Sequence, residues 1–240
     1  MNPRIVRYGP DPEQFAELWA APGRAPVVVL VHGGYWRHRY GLEGMRPLAA
    51  SLSEQGYAVW NLEYRRTGGP GGGWPGTFLD VAMGLSAMDG AVDPARVAIV
   101  GHSAGGHLAL WAAARLKPSL VVSLAGVCDL TEAARLHLSN DAVVELLGGR
   151  PDEVPDRYAR ACPTLLLPLG IPQLVVHGTD DADVPFALGS RYAAAASAAG
   201  DDCEFLVLQG VDHFALIDPA TAAWAAVADR LHTWSISART

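Results

Sequence analysis

The most reactive pattern in the sequence is the pentapeptide Gly101-His-Ser-Ala-Gly105, in which a serine stands between two glycines. It follows the apolar run 97–100 and precedes a helical pattern over 105–116. A Gly-x-Ser-x-Gly between a strand and a helix is typical of a nucleophile elbow, whose sharp turn leaves room only for glycine at the flanking positions. The serine oxygen then projects over the sheet at the positive end of a helix. The pattern predicts that Ser103 is a nucleophile.

A nucleophilic serine needs a base, and the base needs a carboxylate that orients it. With such an elbow the chain order is serine, acid, histidine. Of the eight histidines, only His213 lies in the loop directly after the last predicted strand, and that loop would return it to Ser103. Three others abut strand ends beside glycine and are expected to pack or to bond the backbone: His32, His102 and His177. His213 is therefore the predicted base.

The acid is expected after the strand 173–176, where the chain reads His177-Gly-Thr-Asp-Asp-Ala-Asp-Val-Pro185. Asp180, Asp181 and Asp183 are all candidates. One must orient the imidazole, and the others can cap the helix that is predicted to start near Pro185. Composition does not choose among the three.

Acyl transfer also needs hydrogen-bond donors for the oxyanion. The amide of Ala104, directly after the serine, is one candidate. The run 27–31 ends in His32-Gly-Gly-Tyr-Trp-Arg37, where glycines let the backbone approach a substrate, so Gly33, Gly34 and Tyr35 are further candidates. The aromatic side chains of Tyr35, Trp36 and Trp74 are predicted to form a pocket for an aryl or planar group.

Short apolar runs alternate with helical patterns and must position these residues. Strands are predicted at 27–31, 57–62, 97–100, 120–124, 173–176 and 204–208, and helices at 45–55, 77–89, 105–116, 185–199 and 221–234. Alternation of this kind predicts a single α/β domain over 1–240, a mostly parallel central sheet with helices on both faces. Residues 4–8 and 14–19 are predicted to pair antiparallel at its edge, and the glycine-rich segment 66–76 to form a loop over the sheet's end.

A stretch of about forty residues, 131–171, separates two consecutive strands. Connections of that length are commonly functional lids. Helical patches at 141–147 and 154–160 predict a small helical insertion that roofs the site.

Composition narrows the remaining possibilities. Lys and Arg total 18 and Asp and Glu 25, a net charge of −7, with no basic cluster, which disfavours nucleic-acid binding. No apolar run is long enough to cross a bilayer, and residues 1–10 lack the apolar part of a secretory signal, so no membrane partner and a cytoplasmic location are expected. The cysteines, Cys128, Cys162 and Cys203, form no CxxC pair and are predicted to be small core residues, with a disulfide or zinc site as the alternative. The Ala-rich stretches 192–199 and 222–228 could pack internally or across a homodimer.

Together these motifs resemble the α/β-hydrolase superfamily over nearly the whole chain. The stretch His177-Gly-x-x-Asp181-x-x-Val184-Pro185 is similar to the acid motif of prolyl-oligopeptidase-like hydrolases, and this resemblance implies that Asp181 is the acid. His32-Gly-Gly-Tyr-Trp36 and the elbow resemble those of kynurenine formamidases (arylformamidases), relatives of the hormone-sensitive-lipase esterases.

The expected activity is that of a serine hydrolase that cleaves a small ester or amide through an acyl-enzyme, arylformamidase-like as the specific hypothesis. The expected partner is a small-molecule acyl substrate, and the chemistry requires neither a cofactor nor a metal. Three alternatives are an acyl-transferring, cyclising or thioester-cleaving enzyme, a hydrolase of short peptides, and a binding protein on a hydrolase scaffold.

Overall fold

Eight strands form one sheet through the middle of the protein in this computed structural model, which describes residues 2–23, 25–88 and 94–237. In chain order they are β1 (Arg4–Arg7), β2 (Phe15–Trp19), β3 (Val27–Val31), β4 (Ala58–Leu62), β5 (Val97–His102), β6 (Leu120–Leu124), β7 (Gln173–Gly178) and β8 (Cys203–Leu208). Their order across the sheet is β1-β2-β4-β3-β5-β6-β7-β8. Strands β3 to β8 run parallel to one another, whereas β1 and β2 pair antiparallel at one edge, as predicted.

The inner strands are mostly apolar because helices cover both of their faces. Every residue of β3, β5, β6 and β7 is buried. The helices are α1 (Arg46–Glu54), α2 (Gly76–Ser86), α3 (Ala104–Leu116), α4 (Leu130–Arg135), α5 (Leu138–Leu147), α6 (Pro155–Ala161), α7 (Phe186–Ala198) and α8 (Ala222–Ser237). Alternate residues of β3 point to opposite layers, so Val29 belongs to the core on the side of α2, α3 and α7, while Val28 belongs to the core on the side of α1 and α8. The predicted fold class is confirmed.

Element ends differ from the predictions by a few residues. β5 and β7 each run two residues beyond the predicted strand, because Gly101 and His102 still pair with β6, and His177 and Gly178 with β8. The helix predicted over 77–89 ends at Ser86, and position 89 lies outside the described residues. The Ala-rich faces of α7 and α8 pack inward, through Tyr192, Ala193 and Ala196 and through Ala223, Trp224 and Val227.

The long connection between β6 and β7 holds three short helices, of which α4 was not predicted. Asp129 caps α4 by accepting a hydrogen bond from the Glu132 amide at 3.0 Å. In α5 the backbone of Ser139, Asn140 and Asp141 is left-handed rather than helical. Val143, Leu146 and Leu147 of α5 pack into the main core, so much of this insertion belongs to the body of the domain.

Two further expectations concern composition. Cys128, Cys162 and Cys203 are free thiols, and the first two are fully buried. Over the ranges that the structure describes, no helix has the length and apolar character that a bilayer crossing requires.

Candidate active site

Ser103 stands at the turn between β5 and α3 with φ 56° and ψ −120°, a conformation that non-glycine residues rarely adopt. The Ser103 amide donates to Leu124 O at 2.8 Å, and Ser103 O accepts from the His107 amide at 3.2 Å, so the sheet and the helix both hold the turn. Strain kept in place by its surroundings is typical of a functional residue.

The flanking glycines are required by close backbone approaches. A Cβ at Gly105 would overlap the carbonyl oxygens of Val31 and His32, and a Cβ at Gly101 would overlap Gly105 O. The elbow therefore packs directly against the end of β3, where the candidate oxyanion loop begins.

His213 lies on the loop after β8, and Nδ1 of its ring is 2.7 Å from Asp181 Oδ2. Because an ionised carboxylate only accepts hydrogen bonds, Nδ1 carries the proton and Nε2 of the neutral ring is left to accept one. Ser103 and His213 line the same cavity and are both buried. The structure thus brings together the predicted serine, histidine and aspartate.

Four donors surround the Asp181 carboxylate. Oδ1 accepts from the amides of Asp183 and Val184 at 2.9 and 2.8 Å, and Oδ2 faces His213 and, at 3.2 Å, Nε2 of His177. Burial alone would raise the pKa of Asp181, but hydrogen bonds from His177, His213 and Val184 outweigh it and hold that pKa well below its usual range. Asp181 is therefore an ionised partner for His213.

The other two candidate acids lie elsewhere. Asp180 Oδ1 accepts from the Thr179 hydroxyl at 3.1 Å, and Asp183 is an exposed residue that lines the cavity. Only Asp181 contacts His213.

His102, the residue before the serine, supports the histidine loop. Its Nε2 lies 3.0 Å from His213 O, and the two ring centroids are 4.4 Å apart. Burial, with the nearby His213 second, lowers the pKa of His102 to about 3. A neutral His102 can donate from Nε2 without competing with His213 for the proton.

The loop after β3 presents its backbone to the same cavity. Gly34, Tyr35 and Trp36 all have positive φ, and the amides of Gly34 and Tyr35 donate no hydrogen bond to any residue that the structure describes. Gly33, Gly34 and Tyr35 line the cavity, and Ala104 is the first residue of α3, whose N–H has no acceptor within the helix. These amides suit an oxyanion.

The buried Glu63 carboxylate holds the loop after β3 in place. Its Oε1 is 2.8 Å from His32 Nε2 and its Oε2 accepts from the Leu42 amide at 3.0 Å, while Arg66 pairs with the same carboxylate. The Tyr64 hydroxyl donates to His32 O at 2.8 Å. The buried network fixes two walls of the cavity, the oxyanion loop and the turn at Leu42.

The cavity has a volume of about 190 Å³. Besides the predicted residues, its wall includes four residues that the sequence did not single out, Tyr40, Met45, Phe214 and Ile217, and Asp183, which was predicted only as a candidate acid. For Phe214 a signal existed, because it directly follows His213. A larger cavity, about 710 Å³, lies at the opposite ends of the strands beside Ser119 and Gln173, away from Ser103.

Trp36 and Trp74 do not line the cavity beside Ser103, contrary to the prediction. Trp36 is fully buried and its Nε1 donates to His107 Nδ1 at 3.1 Å. Trp74 packs on Phe78 of α2 with ring centroids 4.9 Å apart. Of the three predicted aromatic residues only Tyr35 reaches the cavity.

The insertion 131–171 contributes no side chain to the lining of this cavity among the described residues. It contacts the candidate oxyanion loop after β3 instead, through Arg37, which donates to Ser139 Oγ at 3.1 Å and pairs with Glu145 at 3.2 Å. The insertion therefore supports this loop, and the prediction that it roofs the site is wrong. Within the described ranges, no group of His, Cys, Asp and Glu side chains is arranged to hold a metal ion.

Two relatives share most of this chain. Esterase LipQ of Mycobacterium tuberculosis is 30% identical over 223 residues, which cover 81% of this chain and 52% of LipQ. The probable isoprenylcysteine alpha-carbonyl methylesterase ICME of Oryza sativa subsp. japonica is 27% identical, covering 88% of this chain and 57% of its own. The chain thus spans about half the length of these relatives.

Solved structures resemble the whole fold. A truncated form of a carbohydrate esterase from gut microbiota superposes with a TM-score of 0.77 at 19% identity, covering 98% of this chain and 96% of that one. Esterase Est2 of Thermogutta terrifontis gives a TM-score of 0.77 at 19% identity, covering 98% and 92%. At these identities the likeness concerns the fold.

The sequence also matches the BD-FAE family over residues 20–195, most of the domain including the elbow and the loop that carries Asp181. With this match and the similarity to LipQ, the chain belongs to the BD-FAE family, within the α/β-hydrolase superfamily.

Proposed function

We propose that this protein is a serine hydrolase that cleaves small carboxylic esters through an acyl-enzyme. The observation that carries the proposal is the hydrogen bond from His213 to an ionised Asp181, beside a cavity that also holds the strained Ser103. The esterase names of the two relatives and of the similar structures support the ester as the bond cleaved.

In the proposed reaction, Nε2 of His213 removes the proton of Ser103 as the serine oxygen attacks the ester carbonyl. Asp181 holds the imidazole tautomer and stabilises the imidazolium that forms. The amides of Gly34, Tyr35 and Ala104 bind the oxyanion of the tetrahedral intermediate, an interaction worth ~3–4 kcal/mol per donor. His213 then protonates the departing alcohol, and water repeats the sequence to release the acid and restore Ser103.

The test is hydrolysis of 4-nitrophenyl acetate together with labelling by a fluorophosphonate, which reacts with activated serines. Ser103→Ala should lose at least ~10³-fold in kcat and all labelling, with an unchanged circular dichroism spectrum. Ser190→Ala is a matched control, since that exposed hydroxyl contacts only Ala187 O, at 3.4 Å. Activity of Ser103→Ala comparable to that of the unsubstituted protein would refute the proposal.

Arylformamide hydrolysis is a second candidate, favoured by the His32-Gly-Gly-Tyr-Trp36 motif. N-formylkynurenine should then be cleaved with a Ser103-dependent kcat/KM near ~10⁴ M⁻¹s⁻¹ or above. If esters are cleaved but kcat/KM for this amide stays at background, the arylformamidase candidate is refuted and the ester proposal stands.

Supplying a second nucleophile, such as an alcohol or amine, separates hydrolysis from transfer, because a transferase forms a new ester or amide instead of free acid.

A further inference from the structure

Asp183 lines the cavity and carries a carboxylate that the proposed hydrolysis does not use. It follows the acid Asp181 by two residues, and Tyr35 and His213 belong to the same lining. Its carboxylate makes no hydrogen bond or ion pair with any residue in the described ranges. An unpaired charge beside a reactive serine is available to a ligand.

The Asp183 backbone is fixed on both sides. Its amide donates to Asp181 Oδ1 at 2.9 Å, and its carbonyl accepts from the Tyr35 hydroxyl at 2.5 Å. Burial, with the charge of Asp183 second, raises the pKa of Tyr35 to about 12, so this phenol stays a donor to the Asp183 carbonyl. The backbone that carries the Asp183 side chain is therefore held in place, although Asp183 itself is exposed to solvent.

No lysine or arginine is among the described residues that line the cavity. The Glu43 carboxylate lies against Gly41 of the lining and adds negative charge. Arg39 lies outside the lining, its guanidinium carbon 4.8 Å from the Tyr40 ring centroid. Arg37 is occupied by Ser139 and Glu145, and His32 by Glu63.

Aromatic rings complete the surroundings. Tyr35, Tyr40 and Phe214 line the cavity, and Phe214 is 61% exposed. Aromatic faces attract ammonium groups, and a carboxylate adds a direct Coulomb attraction.

We propose that Asp183 selects esters that carry a positively charged ammonium group on the part of the substrate next to the scissile bond. This inference rests on the proposed ester hydrolysis and names its substrate class. Because the carboxylate is exposed, the preference should be several-fold rather than absolute, and salt should weaken it.

The experiment compares two esters of the same shape, acetylcholine and its uncharged isostere 3,3-dimethylbutyl acetate. The ratio of their kcat/KM values cancels any effect that is common to both esters. At low ionic strength the unsubstituted protein should favour the cationic ester by about 5-fold or more. Asp183→Asn should bring the ratio to about 1–2, while Asp180→Asn, a neighbouring carboxylate held by Thr179 outside the cavity, should keep it.

Equal kcat/KM values for the two esters would overturn the inference, as would a preference that survives in Asp183→Asn. Cleavage of 4-nitrophenyl acetate with no cleavage of acetylcholine would also overturn it, while the hydrolase proposal stands. Loss of Ser103-dependent activity on every ester would instead refute the proposed function. The two failures are therefore distinguishable.

Discussion

Asp180, Asp181 and Asp183 lie within four residues, yet each meets a different neighbour. Asp180 bonds Thr179, Asp181 bonds His213, and Asp183 lines the cavity. Residue types alone could not separate them, because the choice depends on how the loop after β7 turns towards the loop after β8. The resemblance to known acid motifs pointed to the one that contacts His213.

Asp181→Asn should lower kcat for 4-nitrophenyl acetate by about 10³–10⁴-fold near neutral pH, because an amide no longer fixes the His213 tautomer or stabilises the imidazolium. Asp180→Asn should stay within about 2-fold of the unsubstituted protein, since its side chain bonds only Thr179. Steady-state kinetics with both variants measures this contrast. A larger loss in Asp180→Asn than in Asp181→Asn would mean that Asp180, and not Asp181, is the acid.

The direction of the Trp36 side chain could not be predicted from the motif that contains it. The glycines before it predicted a backbone that approaches the substrate, and the oxyanion loop does line the cavity. The direction of the next side chain depends on φ, which is 57° at Trp36 and turns the indole into the core. The indole is held there by its hydrogen bond to His107, which lies 71 residues away in the sequence and is not part of the motif.

Among the elements, the turn from β5 to α3 was the most predictable because its requirements are local. The strand, the two glycines and the helix are contiguous in sequence, and the observed elbow agrees with that reading. The insertion was less predictable. Its helices pack through Val143, Leu146 and Leu147 into the core and contact the loop after β3 through Arg37, and such long-range contacts leave no local signal.

Gly105→Ala should destabilise the protein by roughly 1–3 kcal/mol or more, because the added Cβ would overlap carbonyl oxygens of Val31 and His32 and force the elbow away from β3. Gly44→Ala is the matched control, since a Cβ there meets no heavy atom within 4 Å and φ is not positive. Urea unfolding of the two variants measures the difference. Equal midpoints would mean that the elbow can shift without cost.

For the whole molecule, alternation of apolar runs with helical patterns was enough to predict the sheet, its antiparallel edge and the helices on both faces. Strands covered on both sides are expected to be mostly apolar, and β3, β5, β6 and β7 are buried at every residue, with polar side chains only at Ser123 and near strand ends. The packing of α4 and the depth of the polar side chains could not be predicted, since both depend on which surfaces meet after folding.

His107 is one of those deeply placed polar groups. It is fully buried between Trp36 and Phe78, accepts from Trp36 Nε1 at Nδ1, and lies 3.0 Å from Ala161 O at Nε2. The Trp36 donor requires a lone pair on Nδ1, so the ring is neutral and Nε2 carries the proton. Burial accordingly lowers the pKa of His107 from 6.5 to about 4.

A neutral buried histidine makes folding stability depend on pH with a definite sign. Between pH 6.5 and about 4 the unfolded chain binds a proton at His107 that the folded protein does not, so the free energy of unfolding falls as pH falls through this window. The contribution of His107 is ~1.4 kcal/mol per pH unit, or about 3 kcal/mol over the window. His107→Gln, whose amide retains a donor and an acceptor, should flatten the profile by about one proton, as measured by urea unfolding at successive pH values. Ser123→Ala, a buried change without a titrating group, should shift the profile without changing its slope. An unaltered slope in His107→Gln would mean that His107 is protonated in the folded state, and the bond from Trp36 to Nδ1 would then be wrong.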